Sequence, residues 1–156
     1  MLIHTLVQEI NMLDNFKVAV ASGKGGTGKT TVATNLAAYS SKTGSKAQYL
    51  DCDVEEPNGH IFLKPRIDTS RAVNVEIPEV DLTKCTGCGK CGQLCQYNAI
   101  VSIDKGNVLT FEQLCHSCGG CMRICPEDAI KAKDLEIGKI RKGKTGQLEF
   151  VEGLLE

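Results

Sequence analysis

The chain has 156 residues, with 18 Lys and Arg against 19 Asp and Glu, a formal net charge of −1 and 42% hydrophobic residues. That balance puts it in the ordinary soluble globular class and excludes disordered and fibrous chains; no nucleic-acid partner is expected. No Trp, four Phe and three Tyr exclude a core built on bulky rings, a role that bonds to a metal group can partly take over in a small domain.

Residues 1 to 16 read as a short helical extension with Leu2, Ile3, Leu6, Val7, Ile10 and Leu13 on one side. Glu9 and Asp14 lie on its polar face without Lys or Arg, which argues against a membrane-surface helix, and Met12 is an alternative start. The N-terminus lacks a basic n-region and a continuous apolar stretch, and no run approaches membrane-spanning length, so a cytoplasmic protein without membrane insertion is expected. Lys17 to Ala21 is a short β-branched apolar run that predicts a buried parallel strand. It leads into Ser22-Gly23-Lys24-Gly25-Gly26-Thr27-Gly28-Lys29-Thr30-Thr31. Thr31 to Lys42 then carries Val32, Ala33, Leu36 and Ala37 at helical spacing and stops at Gly44. Gln48 to Leu50 begins a second strand that ends in Asp51-Cys52-Asp53. Strand, glycine loop, helix, strand predicts a βαβ unit and a parallel sheet.

From Asp81 to about Lys133 the pattern changes. Cys85-x-x-Cys88-Gly89-x-Cys91-x-x-x-Cys95-x-x-x-Ala99-Ile100 recurs thirty residues on as Cys115-x-x-Cys118-Gly119-x-Cys121-x-x-x-Cys125-x-x-x-Ala129-Ile130. Three thiolates at intervals of three on a tight loop suit three corners of an iron–sulfur cube, and a fourth, opening the next helix, is aimed at the other cube. The expected [4Fe-4S] ligand sets are therefore crossed: Cys85, Cys88, Cys91 and Cys125 on one, Cys115, Cys118, Cys121 and Cys95 on the other. A disulfide framework suits short secreted chains, and nothing in the sequence supports secretion. Zinc could use the C-x-x-C pairs but does not call for the third interval and fourth Cys. Between the repeats, Ile100 to Ile103 and Val108 to Phe111 flank Asp104-Lys105-Gly106-Asn107, a hairpin signal. After them Ile137 to Glu156 is polar and glycine-punctuated, with two possible strands near Ile140 and Leu148 to Val151.

Gly23-x-x-x-x-Gly28-Lys29-Thr30 satisfies the Walker A pattern. Its glycines let backbone N–H groups wrap a phosphate chain at a helix N-terminus, Lys29 meets the β- and γ-phosphates, and the Thr30 hydroxyl coordinates Mg²⁺. Lys24 to Thr31 also matches Lys-Gly-Gly-x-Gly-Lys-Thr-Thr, the signature of the deviant Walker A ATPases that include MinD, ParA and Mrp. The resemblance implies that Lys24 reaches a partner's nucleotide across an ATP-closed homodimer and that Asp53, or secondly Asp51, lies near Mg²⁺ and the attacking water.

The whole of residues 17 to 156 resembles MinD-like ATPases with an inserted bacterial-type ferredoxin domain, a group loosely labelled cobyrinic acid a,c-diamide synthase-like. The expected fold is α/β, a partial P-loop NTPase parallel sheet with an inserted α+β two-cluster ferredoxin-like domain. The division expected is an extension at 1–16, the nucleotide-binding part at 17–80, the insertion at 81–133 and a return to the α/β part at 134–156. Gln96 stands where many ferredoxins have Pro, and the chain stops before the family's Asp-x-x-Gly segment and later strands, so ATPase turnover is expected only if that half is supplied. The leading functional expectation is an ATP-responsive electron carrier with a redox partner protein. A cluster carrier or assembly ATPase and a ferredoxin module on a non-catalytic nucleotide fold are the alternatives.

Overall fold

The computed structural model describes residues 16–104 and 106–155, so the helix expected over residues 1 to 16 lies almost wholly outside the described residues. In chain order the elements are α1 (Lys29–Lys42), β1 (Gln48–Asp51), α2 (Gly59–Leu63), β2 (Arg66–Val80), α3 (Lys90–Leu94), β3 (Ile100–Asp104), β4 (Asn107–Thr110), a 3-10 turn (Glu112–Leu114), α4 (Gly120–Ile124), β5 (Ile130–Thr145) and β6 (Leu148–Leu155). One sheet has the order β1-β6-β5-β2, and β3 and β4 form a separate antiparallel pair. The fold is mixed α/β with a parallel-containing sheet.

The parallel pairing differs from the one expected. Lys17 to Ala21 forms no strand and is mostly exposed. A strand exists only by laddering with a neighbour, and β1, at the sheet edge, is paired with β6 instead, Tyr49 opposite Phe150 and Asp51 opposite Glu152. The β2 strand is an element for which the sequence reading held no expectation, and β5 is longer than the short strand expected near Ile140.

The chain divides into two compact units, one of the described residues 16–71 and Lys139–Leu155, the other Ala72–Gly138. In the first, period-2 alternation places Tyr49 and Asp51 of β1, and Leu148, Phe150 and Glu152 of β6, in buried positions. Tyr49 and Phe150 stack with ring centroids 5.7 Å apart. Ala33, Ala37 and Ala38 of α1 pack on them, small side chains that let the helix lie close to the strand pair. The helix ends at Thr43, whose N–H donates to the Tyr39 carbonyl, before Gly44 at φ 88°. In the second unit Cys91, Ile100 and Ile130 form the buried cluster, with Val80, Val108 and Met122 against it.

Candidate functional site

Gly23 to Gly28 makes an exposed turn whose shape is held locally: the Ser22 hydroxyl donates to the Lys24 carbonyl at 2.8 Å, and the Thr27 hydroxyl donates to Ser22 Oγ at 2.8 Å. Gly28 caps α1 at φ 84°, and Val32 N–H donates to its carbonyl at 3.0 Å. No side chain caps that end and its first turn carries no acid, so the first amides, at Lys29, Thr30 and Thr31, are left for another acceptor. At Gly23 and Gly25 an added Cβ would meet nothing within 4 Å, and neither has a positive φ, so packing within the protein does not require glycine there. Close approach of a phosphate chain to the backbone would require it. Lys24 is exposed, and Lys29 and Thr30 are half-buried at the helix start.

The two acids at the end of β1 and just beyond it differ. Asp51 is buried and accepts from the Gly59 N–H at 2.8 Å and the Asp53 N–H at 3.2 Å, fixing the start of α2, whereas Asp53 is exposed. Burial, then the Asp51 carboxylate, pushes the Tyr49 phenol up to about 12. Beside Asp51, Glu152 has no exposed surface; His60 Nδ1 lies 3.2 Å from its Oε2, and Arg141 pairs with its Oε1. The sequence reading passed over Glu152, because its acidity in a polar segment signals exposure unless the β6 alternation is first known.

In the second unit, Cys85, Cys88, Cys91 and Cys125 all line one small pocket. Those are the four residues of the first crossed set. Cys95 and Cys121, of the other set, pack against the same apolar cluster as Cys91 and Cys125. Cys115 and Cys118 act electrostatically on Cys121, as Cys85 and Cys88 act on Cys91. Burial, with those neighbours adding, pushes the Cys91 and Cys121 thiols up. At Cys95 burial opposes, but the backbone N–H groups of Tyr97, Ala99, Ile100 and Asn98 outweigh it and hold the thiol below its ordinary value. N–H groups also reach sulfur at Cys115, from Ser117, and at Cys125, from Ala129, both at 3.4 Å. Sulfurs gathered this way and supplied with donors suit thiolates around a cation, whose charge relieves their mutual repulsion. Among the described residues no three His, Cys, Asp or Glu are placed to hold a single metal ion. No helix of the described residues is long and apolar enough to cross a membrane.

A glycine loop opening a helix that packs on a parallel strand pair defines a phosphate-loop nucleotide-binding protein. The family model of the CobQ/CobB/MinD/ParA nucleotide binding domain matches residues 18–144, and the chain belongs to that family. An uncharacterized protein of Methanocaldococcus jannaschii is 39% identical over 87 residues, 54% of this chain and 30% of the relative. Another from the same organism is 34% identical over 129 residues, 81% of this chain and 45% of the relative. A protein of Methanococcus maripaludis named iron-sulfur cluster carrier protein is 41% identical over 69 residues, 41% of this chain and 24% of the relative. The chain thus spans less than half the length of these relatives.

Proposed function

We propose that this chain binds Mg-ATP at Gly23 to Thr31 and iron–sulfur clusters at its two cysteine sets, and that nucleotide governs delivery of a cluster to an acceptor protein. The observation that carries the reading is the likeness to iron-sulfur cluster carrier proteins, joined to the phosphate loop of the family. It reverses the order of the sequence expectations, in which electron transfer led. Lys29 holds the β- and γ-phosphates, Thr30 the Mg²⁺, and Lys24 the nucleotide of a second copy in a homodimer. Asp53 stands free at the end of the Asp51-Cys52-Asp53 turn to orient water. Delivery is ligand exchange: thiolates of the acceptor displace the chain's cysteinates.

A second reading, electron transfer between two resident [4Fe-4S] clusters, is favoured by the completeness of both four-cysteine sets, since cargo needs fewer ligands. Reconstituted protein mixed with an apo-ferredoxin separates the two. Transfer of visible absorbance to the acceptor, at a rate changed by Mg-ATP in wild type but not in Lys29→Ala, is expected of delivery. Colour retained by this chain with and without nucleotide, together with Mg-ATP-dependent electron transfer from the reduced protein, would overturn delivery in favour of the second reading.

A further inference from the structure

The two halves of the cysteine module share a backbone. Gly89 and Gly119 cap α3 and α4 at φ 76° and 69°, and Asn98 and Asp128 both take left-handed conformations at 53° and 48°. The Phe111 N–H donates to the Ala99 carbonyl at 2.8 Å as the Asp81 N–H donates to that of Ala129 at 2.7 Å. Each side chain in one half therefore has a counterpart thirty positions away in the other.

The counterparts differ in charge. Beside Cys85 and Cys125 of the first set the chain carries Asp81, Lys84 and Glu127; beside Cys115 and Cys95 of the second it carries Phe111, Leu114 and Tyr97 at the same positions. Those three, with Leu94, are between 42% and 52% exposed. Scattered single apolar side chains in water need no explanation, but these are grouped. The Leu114 N–H donates to the Phe111 carbonyl at 3.1 Å, and the Ala99 carbonyl that Phe111 holds lies two residues past Tyr97. The Tyr97 ring stacks on exposed His116, centroids 3.8 Å apart. Leu94 Cδ2 lies 3.1 Å, and the Cys118 sulfur 3.6 Å, from the point where a Cβ on Gly120 would stand. Cys118 is itself exposed. Glu112, where the first half has Leu82, is turned to Lys133 at 3.4 Å. Leu82 is exposed as well, but Asp81 precedes it and Lys84 follows two residues on.

We propose that Leu94, Tyr97, Phe111 and Leu114 form the surface on which a cluster-accepting protein docks, its own contact face apolar and uncharged, and that the second set hands over its iron there. This rests on the reading that the cysteine sets bind clusters and deliver one. For delivery, an acceptor thiolate must come within bonding distance of iron held by an exposed cysteine such as Cys118, which requires contact between the two protein faces. Each acceptor thiolate then bonds to iron as one cysteinate of this chain lets go and takes the proton that the acceptor thiol gave up; no electron changes hands. An acceptor presenting ionised groups would lose their hydration against Phe111 and Leu114 and find no counter-charge. An apolar acceptor at the first set would strand Asp81, Lys84 and Glu127 in the same way, so the two ends select opposite kinds of face.

The test mixes the full chain, reconstituted with iron and sulfide, with an apo-ferredoxin, and reads the visible absorbance each protein carries after separation. Tyr97→Glu with Leu114→Lys gives the second set the side chains that the first carries at the same backbone positions. It should slow transfer by about tenfold or more, the loss expected when apolar anchors leave the centre of an interface. Extraction by a small ferrous chelator needs no docking and should stay within about twofold in that variant, whereas extraction speeded tenfold would mean a weakened cluster and overturn the proposal. Lys84→Gln, at the counterpart of Leu114, should leave transfer within about twofold. Raising NaCl from about 50 to about 500 mM should change wild-type transfer by less than about threefold, because an uncharged contact leaves little to screen; a tenfold fall would assign the docking to charges instead. A wild-type dimer without nucleotide that dissociates in the double variant on sedimentation would give the surface to a second copy and overturn acceptor docking. Transfer unmoved by the double replacement overturns the docking surface and leaves delivery intact. Loaded protein that transfers nothing overturns delivery, and protein that takes up no iron overturns the cluster reading, each taking this proposal with it.

Discussion

Glu152 offers a measurable test of how the nucleotide-binding unit is held together. Its carboxylate has no exposed surface, while the side chains of its partners Arg141 and His60 are 32% and 41% exposed. Glu152→Gln keeps the shape and removes the charge, leaving the Arg141 guanidinium without its counter-ion. Breaking a fully buried pair costs about 3–5 kcal/mol; Arg141 is partly solvated, so about 2–3 kcal/mol is expected here. For a chain of this length that is a drop of roughly 4 to 12 °C in Tm, at about 2–4 °C per kcal/mol. Urea unfolding followed by circular dichroism, with hydrogen exchange at the β6 amides to localise the loss, measures it. Removing both partners with apolar side chains, Glu152→Leu with Arg141→Met, should recover most of the loss, because neither charge is then stranded. A Glu152→Gln midpoint within about 0.5 kcal/mol of wild type, the range of ordinary surface substitutions, would refute the idea that this pair matters to the unit.

Two further outcomes follow from the same strand pair. The Tyr49 phenol, held at about 12 in the fold against an ordinary value near 10, contributes stability that is full below pH 10 and lost as pH rises from 10 towards 12. The loss is roughly 2–3 kcal/mol, and Tyr49→Phe should remove it from a plot of unfolding free energy against pH. Gly59→Ala should destabilise by about 1–3 kcal/mol, since its Cβ would sit 2.5 Å from Tyr49 Cε1 and 2.8 Å from Asp51 Oδ2. Gly23→Ala, with nothing within 4 Å of its Cβ, should leave the urea midpoint unchanged and weaken nucleotide binding measured by calorimetry.

The features most legible in the sequence are those that local chemistry fixes. The glycine loop and α1 are set by residues within one turn of each other, and the cysteine repeat is set by its own spacing, down to the matched left-handed pair Asn98 and Asp128. Partner choice within the sheet is not local. The composition of Lys17 to Ala21 suits a buried strand, yet composition cannot say that β1 will take β6 rather than this run. In β2 the alternation of Val73, Val75 and Ile77 with Asn74 and Glu76 is a readable strand pattern, weakened because Ile77 alone of the three is buried. Tyr97 was also within reach: aligning the two repeats sets it against Glu127 and sets His116 against Thr86, a change from polar to aromatic that needs no coordinates to see. What the alignment does not supply is that the two rings meet.

The parallel pairing of β1 with β6 also bears on the order in which the protein is built. Gln48 and Glu149, joined across it, are 101 residues apart in sequence, and the whole cysteine module lies between them. Closing so long a loop carries an entropy cost that grows with the logarithm of its length, and such non-local pairings form slowly. The hairpin of β3 and β4 and the short cysteine helices need only local closures, so they can form while the nucleotide-binding unit is still open. On the proposed reading that the cysteine sets bind clusters, a cluster that orders the intervening segment would shorten the effective loop and speed this pairing.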